Sequence, residues 1–234
     1  MSYRELKERV YHTNMALQQS GLVVLTWGNA SGADRAAGVF AIKPSGVPYD
    51  KLKADDMVVL RIDTGEVVEG KARPSSDTPT HLVLYQKFPK CNGIVHTHSE
   101  FGTAFAQAGR EIPCLGTTHA DNFYGAIPCT RVMKREEIQK DYEHNTGLVI
   151  VERFEQGKID PAQVPGCLIA GHAPFAWGET PEKAVENAVV LEFTARMAAT
   201  TFQLNSGAKP ISQDLLDKHF LRKHGAGAYY GQPK

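Results

Sequence analysis

The stretch MVVLRIDTGEVVEG, residues 57–70, decides the architecture. Two apolar runs flank Thr64-Gly65, a pair suited to a tight turn, so the segment reads as a β-hairpin. A hairpin joins antiparallel neighbours, whereas a regular doubly wound fold places a helix between consecutive strands. Working outward, GVFAIKPSG (38–46) reads as a strand ending in a turn. LVVLTWGN (22–29) reads as a strand running into a glycine-containing loop.

Helices are expected at both ends and in between. Leu6, Val10 and Leu17 recur at helical spacing across residues 3–20, with Gly21 as the stop. In RPSSDTPTHLVLYQKF (73–88) a short helix opens with Asp77 or Thr78 at its cap and Pro79 in its first turn. GIVHTHS (93–99) is the next strand, FGTAFAQAG (101–109) a helix, and residues 112–129 an irregular connection. GLVIVERF (147–154) and GCLIAGHAPFAWG (166–178) read as two further strands. Thr180-Pro181-Glu182 opens a long amphipathic helix to about Leu204, and a short helix lies in the tail. With no repeat, low-complexity tract or linker, the expectation is one α/β domain over residues 1–234, with a mixed, mostly antiparallel sheet.

Composition narrows the function. Lys plus Arg and Asp plus Glu number 26 each among 234 residues, so there is no global charge footprint for nucleic acid or an anionic membrane. No apolar run approaches the roughly 18–20 residues that span a bilayer. The first ten residues, MSYRELKERV, lack the apolar core of a signal peptide. Cys91, Cys114, Cys129 and Cys167 form no Cys-x-x-Cys pair, which disfavours a disulfide framework or a thiolate metal site. A reducing, cytoplasmic setting is expected.

The chemistry concentrates in two constellations. His96 and His98, separated by Thr97, would project from one face of a strand. A catalytic zinc site takes three protein ligands, commonly histidines with or without a carboxylate. His172 ends the apolar run GCLIAG as His96 ends GIV, making it the third candidate, and Asp77 at a helix start is a candidate oxygen ligand. His12, His81, His144 and His224 fall on helix faces or flanks and read as surface or capping residues. The second constellation comprises three loops: WGNAS (Gly28, Asn29, Ser31), KPSG (Lys43, Ser45, Gly46) and RPSSD (Ser75, Ser76). Hydroxyls, glycine N–H groups, an ammonium and a helix N-terminus are what a phosphate monoester needs. No Walker-type or G-x-G-x-x-G pattern points to a nucleotide.

These motifs, with GTTHAD (116–121), IPCTR (127–131), LDKHFLRKHG (216–225) and AYYG (228–231), resemble the class II sugar-phosphate aldolase family. The resemblance runs in order from about Leu6 to Gly231. SSDTPTH, THAD and YYG resemble its epimerase branch in particular. The family's aldolases carry Glu where this chain has Asp77. The resemblance implies a three-layer α/β/α fold. It also implies zinc (one ion per subunit, other divalent metals being compatible) on His96, His98 and His172, with Asp77 as acidic neighbour or fourth ligand. Gly28, Asn29, Lys43, Ser45, Gly46, Ser75 and Ser76 would hold the substrate phosphate. Asp121 and Tyr230 would be the acid/base pair, and His219 is either an organiser of the site or a helix-surface residue. The implied reaction interconverts L-ribulose 5-phosphate and D-xylulose 5-phosphate by breaking and remaking C3–C4. The implied assembly is a homotetramer with active sites at subunit contacts, with a sugar phosphate as partner and neither nucleic acid nor membrane.

Overall fold

The computed structural model describes residues 1–225 and 227–230; Gly231, the last residue of the terminal motif, lies outside them. Seven strands form one sheet: β1 (Asn29–Asp34), β2 (Val39–Ile42), β3 (Val58–Arg61), β4 (Val67–Glu69), β5 (Gly93–His96), β6 (Gly166–Leu168) and β7 (Pro174–Gly178). Their order is β4-β3-β2-β1-β5-β7-β6, and every pairing is antiparallel. The 57–70 hairpin is present as β3 and β4.

Strand period two sorts the side chains between two helical layers. Phe40, Ile42, Val58, Leu60, Ile94, Phe175 and Trp177 face the larger core, shared with α2 (Thr78–Lys87) and α6 (Tyr142–Gly157). Their alternates Val39, Ala41 and Val59 pack on Leu6 and Val10 of α1 (Tyr3–Gln19). Ala30, Val95 and Ala176 meet Leu17 of α1 and Ala184, Val185 and Ala188 of a second helix, Pro181–Leu204. The layers are therefore α/β/α. Four further α-helices, α3 (Glu100–Gln107), α4 (Thr117–Ala120), α5 (Arg135–Gln139) and, after α7 (Pro181–Leu204), α8 (Gln213–His224), and two short 3-10 helices, Tyr49–Lys51 and Ala54–Asp56, complete the described residues.

Three local expectations are corrected. GLVIVERF lies within α6, because Gly147, Ile150, Val151 and Phe154 are buried at a spacing of three and four, a helical period. Its β-branched composition resembles a buried strand, and only the periodicity separates the two. LVVLTWGN holds no strand before Asn29, only a bridge between Val24 and Trp27. GCLIAGHAPFAWG is two strands, β6 and β7, folded about a turn in which His172 N–H donates to Ile169 O at 2.9 Å.

α6 reaches α2 closely because residue 147 has no side chain: a Cβ there would lie 2.7 Å from Val83 Cβ. Gly147→Ala gains about 1 kcal/mol of helix propensity but overpacks at about 1–3 kcal/mol. A net loss of about 1 kcal/mol is expected in urea unfolding, and an unchanged or raised midpoint contradicts this packing.

Candidate metal centre and active site

The site grows from one end of the sheet. Asn29 on β1, His96 on β5 and Phe175 on β7 are successive cross-strand partners, so they form a row on the same face. Phe175 stacks on the His96 ring at 4.2 Å. His96 Nδ1 lies 3.0 Å from Pro174 O. A carbonyl only accepts, so Nδ1 carries the proton and the Nε2 lone pair is free, the arrangement usual for a ligating histidine.

His98 lies just beyond the end of β5, not on it, and His172 sits in the β6–β7 turn. The ring centroids of His96, His98 and His172 nevertheless form a triangle of 5.0 Å sides. His96 Nε2 and His98 Nε2 are 3.3 Å apart, and one nitrogen from each ring lies within 4.8 Å of the others. His172 Nδ1 is buried with no hydrogen-bond partner among the described residues. Burial, then the neighbouring His96, holds His98 below the usual imidazole range; the same causes push His172 down to about 4. Neutral imidazoles with convergent lone pairs are the ligand form that a divalent cation requires, so the residues fit a metal ion.

Asp77 occupies the N-cap position of α2, as expected, but its side chain makes no capping hydrogen bond. Its carboxylate Oδ2 accepts from Asn29 Nδ2 at 2.6 Å, and Asn29 Nδ2 also reaches Ser75 Oγ at 3.2 Å. Burial opposes the ionisation of Asp77, but the surrounding imidazoles and the Asn29 amide outweigh it and keep the carboxyl below its ordinary value. Asp77 is not one of the three residues whose ligand atoms converge; it lines the wall beside them.

One cavity of about 630 Å³ is lined by the three histidines and by Gly28, Asn29, Lys43, Ser45, Gly46, Ser75, Ser76 and Asp77, joining both constellations of the sequence. Lys43 is buried; its Nζ donates to Val47 O at 2.8 Å, and burial lowers its ammonium to about 8. At Gly28 φ is +118°, and a Cβ would stand 3.0 Å from His96 O, so only glycine lets this loop lie against the metal-binding strand. Ser31, read as a loop residue, is buried in β1 on the same face as Asn29 but does not line this cavity.

Two other expectations fall elsewhere. Asp121, at the end of α4, and Tyr230 do not line this cavity. Asp121 accepts from His219 Nδ1 at 3.0 Å, from Arg222 Nη2 at 3.0 Å to each oxygen, and from Lys223 Nζ at 3.1 Å. Burial opposes ionisation of Asp121, but these bonds prevail and its carboxyl is held below the ordinary value. Tyr230 lies over the same cations, its ring centroid 4.9 Å from Arg222 Cζ and 4.5 Å from Lys223 Nζ. The acid/base candidates thus form a second cluster, apart from the imidazole cavity of the same chain.

Sequence reasoning missed Tyr142 and Glu143, which line the cavity at the start of α6. Reading that region as a strand concealed a helix N-terminus. It also placed His81 on the surface, whereas His81 is fully buried behind Asp77.

The model of the class II aldolase and adducin N-terminal domain matches residues 8–199. Two curated relatives carry the name L-ribulose-5-phosphate 4-epimerase UlaF. That of Salmonella paratyphi A is 55% identical over 229 residues, covering 98% of this chain and 99% of the relative. That of Salmonella choleraesuis is 54% identical with the same coverage. Among solved structures, an L-fuculose 1-phosphate aldolase superposes with a TM-score of 0.74 at 22% identity, over 92% of this chain and 94% of that one. A structure of YgbL from Klebsiella pneumoniae gives 0.72 at 23% identity, over 93% and 99%. These two show the same fold; the family match and the relatives at 54–55% identity place the chain itself in the class II aldolase family.

Proposed function

We propose that this protein is a metal-dependent epimerase that interconverts L-ribulose 5-phosphate and D-xylulose 5-phosphate. The observation that carries this is the single cavity in which three convergent imidazoles face Lys43, Ser45, Ser75 and Ser76. A phosphate grip and a divalent-cation site that line one cavity suit a ketopentose phosphate. The epimerase name of relatives 54–55% identical selects the reaction.

His96, His98 and His172 would hold zinc, with Asp77 beside it; a bound divalent ion supplies Lewis acidity that stabilises negative charge developing next to the C2 carbonyl. The C4 proton is not α to that carbonyl, so direct deprotonation is unfavourable, whereas C3–C4 is the bond of an aldol reversal. A base takes the C4 hydroxyl proton, C3–C4 breaks with its electron pair staying on the three-carbon fragment, and C4 becomes the aldehyde of glycolaldehyde phosphate. Lys43 and the serines keep the phosphate as a pivot while the aldehyde turns. Bond formation on its other face, with a proton delivered to the C4 oxygen, inverts C4. Asp121 and Tyr230 are the two proton carriers, one for each face.

Because those two lie outside the imidazole cavity of their own chain, the site is completed by a neighbouring copy in a homotetramer. The exposed Val24, Leu25 and Trp27, the last 6.3 Å from the His98 ring, favour a covered face beside the metal centre. Among the described residues no helix is long and apolar enough to cross a membrane. With only free cysteines in the chain, a cytoplasmic setting fits this reading.

The test is product analysis of L-ribulose 5-phosphate with metal-loaded protein by ¹³C NMR. D-xylulose 5-phosphate as the product supports the proposal; glycolaldehyde phosphate released as the main product would instead make the protein an aldolase. Lys43 adds a pH signature. Its ammonium, lowered to about 8 by burial, is charged below that pH and neutral above it. Substrate KM should therefore rise above pH 8. In Lys43→Met, KM should be about 10–100-fold higher throughout, as for a lost charged hydrogen bond, and the rise should vanish. A wild-type KM that stays flat from pH 7 to 9.5 contradicts the assignment.

A further inference from the structure

Behind the wall of the cavity lies a buried hydrogen-bond chain that the reaction scheme leaves unused. Tyr85 Oη and Ser31 Oγ are 2.7 Å apart, and Ser31 Oγ and His81 Nδ1 are 2.7 Å apart. Tyr85, Ser31 and His81 are all fully buried.

The direction of this chain follows from counting protons. Ser31 Oγ is the one hydrogen-bond partner that Tyr85 Oη has among the described residues. The phenol must therefore donate to Ser31, since a buried O–H left unmade costs about 1–3 kcal/mol. Ser31 then donates its own proton to His81 Nδ1. His81 is left as the tautomer with its proton on Nε2, and that buried atom has no partner among the described residues.

Its surroundings indicate what the N–H serves. His81, on α2, stands one helical turn after Asp77, and its backbone N–H donates to the Asp77 backbone carbonyl at 3.1 Å. Side chains at i and i+4 share a face and lean towards the helix N-terminus, so the ring inclines towards the Asp77 carboxylate. Asn29 and Ser31 lie two residues apart on β1 and share the face that meets α2. Asn29 must turn Nδ2 towards the carboxylate, because a carboxylate only accepts; this leaves Asn29 Oδ1 buried with no partner among the described residues. An orphan donor on the residue one turn after Asp77 and an orphan acceptor on the residue that binds its carboxylate are thus both left.

We propose that His81 is a positioning residue for Asp77: the Tyr85–Ser31–His81 chain fixes an Nε2–H that holds the carboxylate through one bridging water shared with Asn29 Oδ1. Together with the direct Asn29 bond, this sets the carboxylate's orientation at the metal centre. The inference rests on the metal-centre reading above but not on which sugar phosphate is turned over.

The first test is ¹⁵N–¹H NMR of the wild-type protein, which reads the His81 tautomer directly. A proton on Nε2 and a bare Nδ1 are expected; the reverse overturns the proposal. The second is zinc affinity by chelator competition in three variants. His81→Asn keeps a partner for Ser31 but places nothing at Nε2, whereas His81→Gln keeps an N–H near Nε2 and gives up Ser31. His81→Phe keeps only the shape. Zinc binding is expected to weaken about 10–100-fold in His81→Asn and His81→Phe, as for other outer-shell changes, and to stay near wild type in His81→Gln even though that variant melts lower than His81→Asn. A purely structural role predicts that affinity follows melting temperature instead, and a folded His81→Phe with wild-type affinity overturns the proposal. Should the variants fail to fold, the reverse tautomer in the wild type would still overturn the proposal. A wild type that binds zinc but does not epimerise ribulose phosphate would refute the substrate reading and leave this one standing.

Discussion

His96→Asn is expected to abolish metal binding and turnover together while leaving the fold intact. Asparagine can keep the hydrogen bond that His96 Nδ1 makes to Pro174 O, because its amide nitrogen occupies nearly the same place. It cannot supply the Nε2 lone pair that lies 3.3 Å from His98 Nε2. The convergent group falls from three imidazoles to two, and a two-histidine site holds a divalent ion poorly. Lewis-acid stabilisation is worth several kcal/mol, and about 4 kcal/mol corresponds to roughly 10³-fold in rate. Metal analysis of the purified variant, read beside its circular dichroism, checks this. Full occupancy in a folded variant would remove His96 from the ligand set.

Tyr230→Phe should have the opposite signature: metal retained, fold retained, turnover lower by about 10²–10⁴-fold, as for a lost proton carrier. The ring would keep its place over Arg222 and Lys223, since those contacts use its face and not its hydroxyl. The location of Tyr230 outside the imidazole cavity of its own chain adds a second consequence. If a neighbour completes each site, then His96→Asn and Tyr230→Phe chains, unfolded and reassembled together, should recover activity that neither has alone. A wild-type rate for Tyr230→Phe would refute the role, and a failure of the mixture to recover would refute the shared site.

Much of the architecture was legible because its signals are local. Thr64-Gly65 between apolar runs, and Thr180-Pro181-Glu182 before a periodic segment, specify a hairpin and a helix start within a few residues. Residues 147–154 were not legible, because Leu148, the exposed position of the run, is as apolar as its buried neighbours, so the helical period of burial does not show in residue type. The turn carrying His172 was hidden in the same way, since Ile169 and Ala173 at its corners are as buried as strand residues.

The site divides along the same line. The His-x-His pair and the serine loops drew attention by residue type, and His96 and His98 meet although His98 lies beyond the last residue of β5. The burial of His81 was invisible, because Ser31, which links it to Tyr85 of the same helix, is brought to it from β1 by tertiary packing. Asp121 and Tyr230 carried no signal in composition or spacing; only the family resemblance singled them out. Their separation from the imidazole cavity is a property of one chain in space, and a linear sequence does not contain it.

The central claim is most directly tested by a coupled assay of the purified protein with L-ribulose 5-phosphate, following D-xylulose 5-phosphate before chelation, after chelation and after zinc is restored. Turnover that disappears with the chelator and returns with zinc is the predicted result. Turnover that persists in protein shown to be metal-free would contradict it.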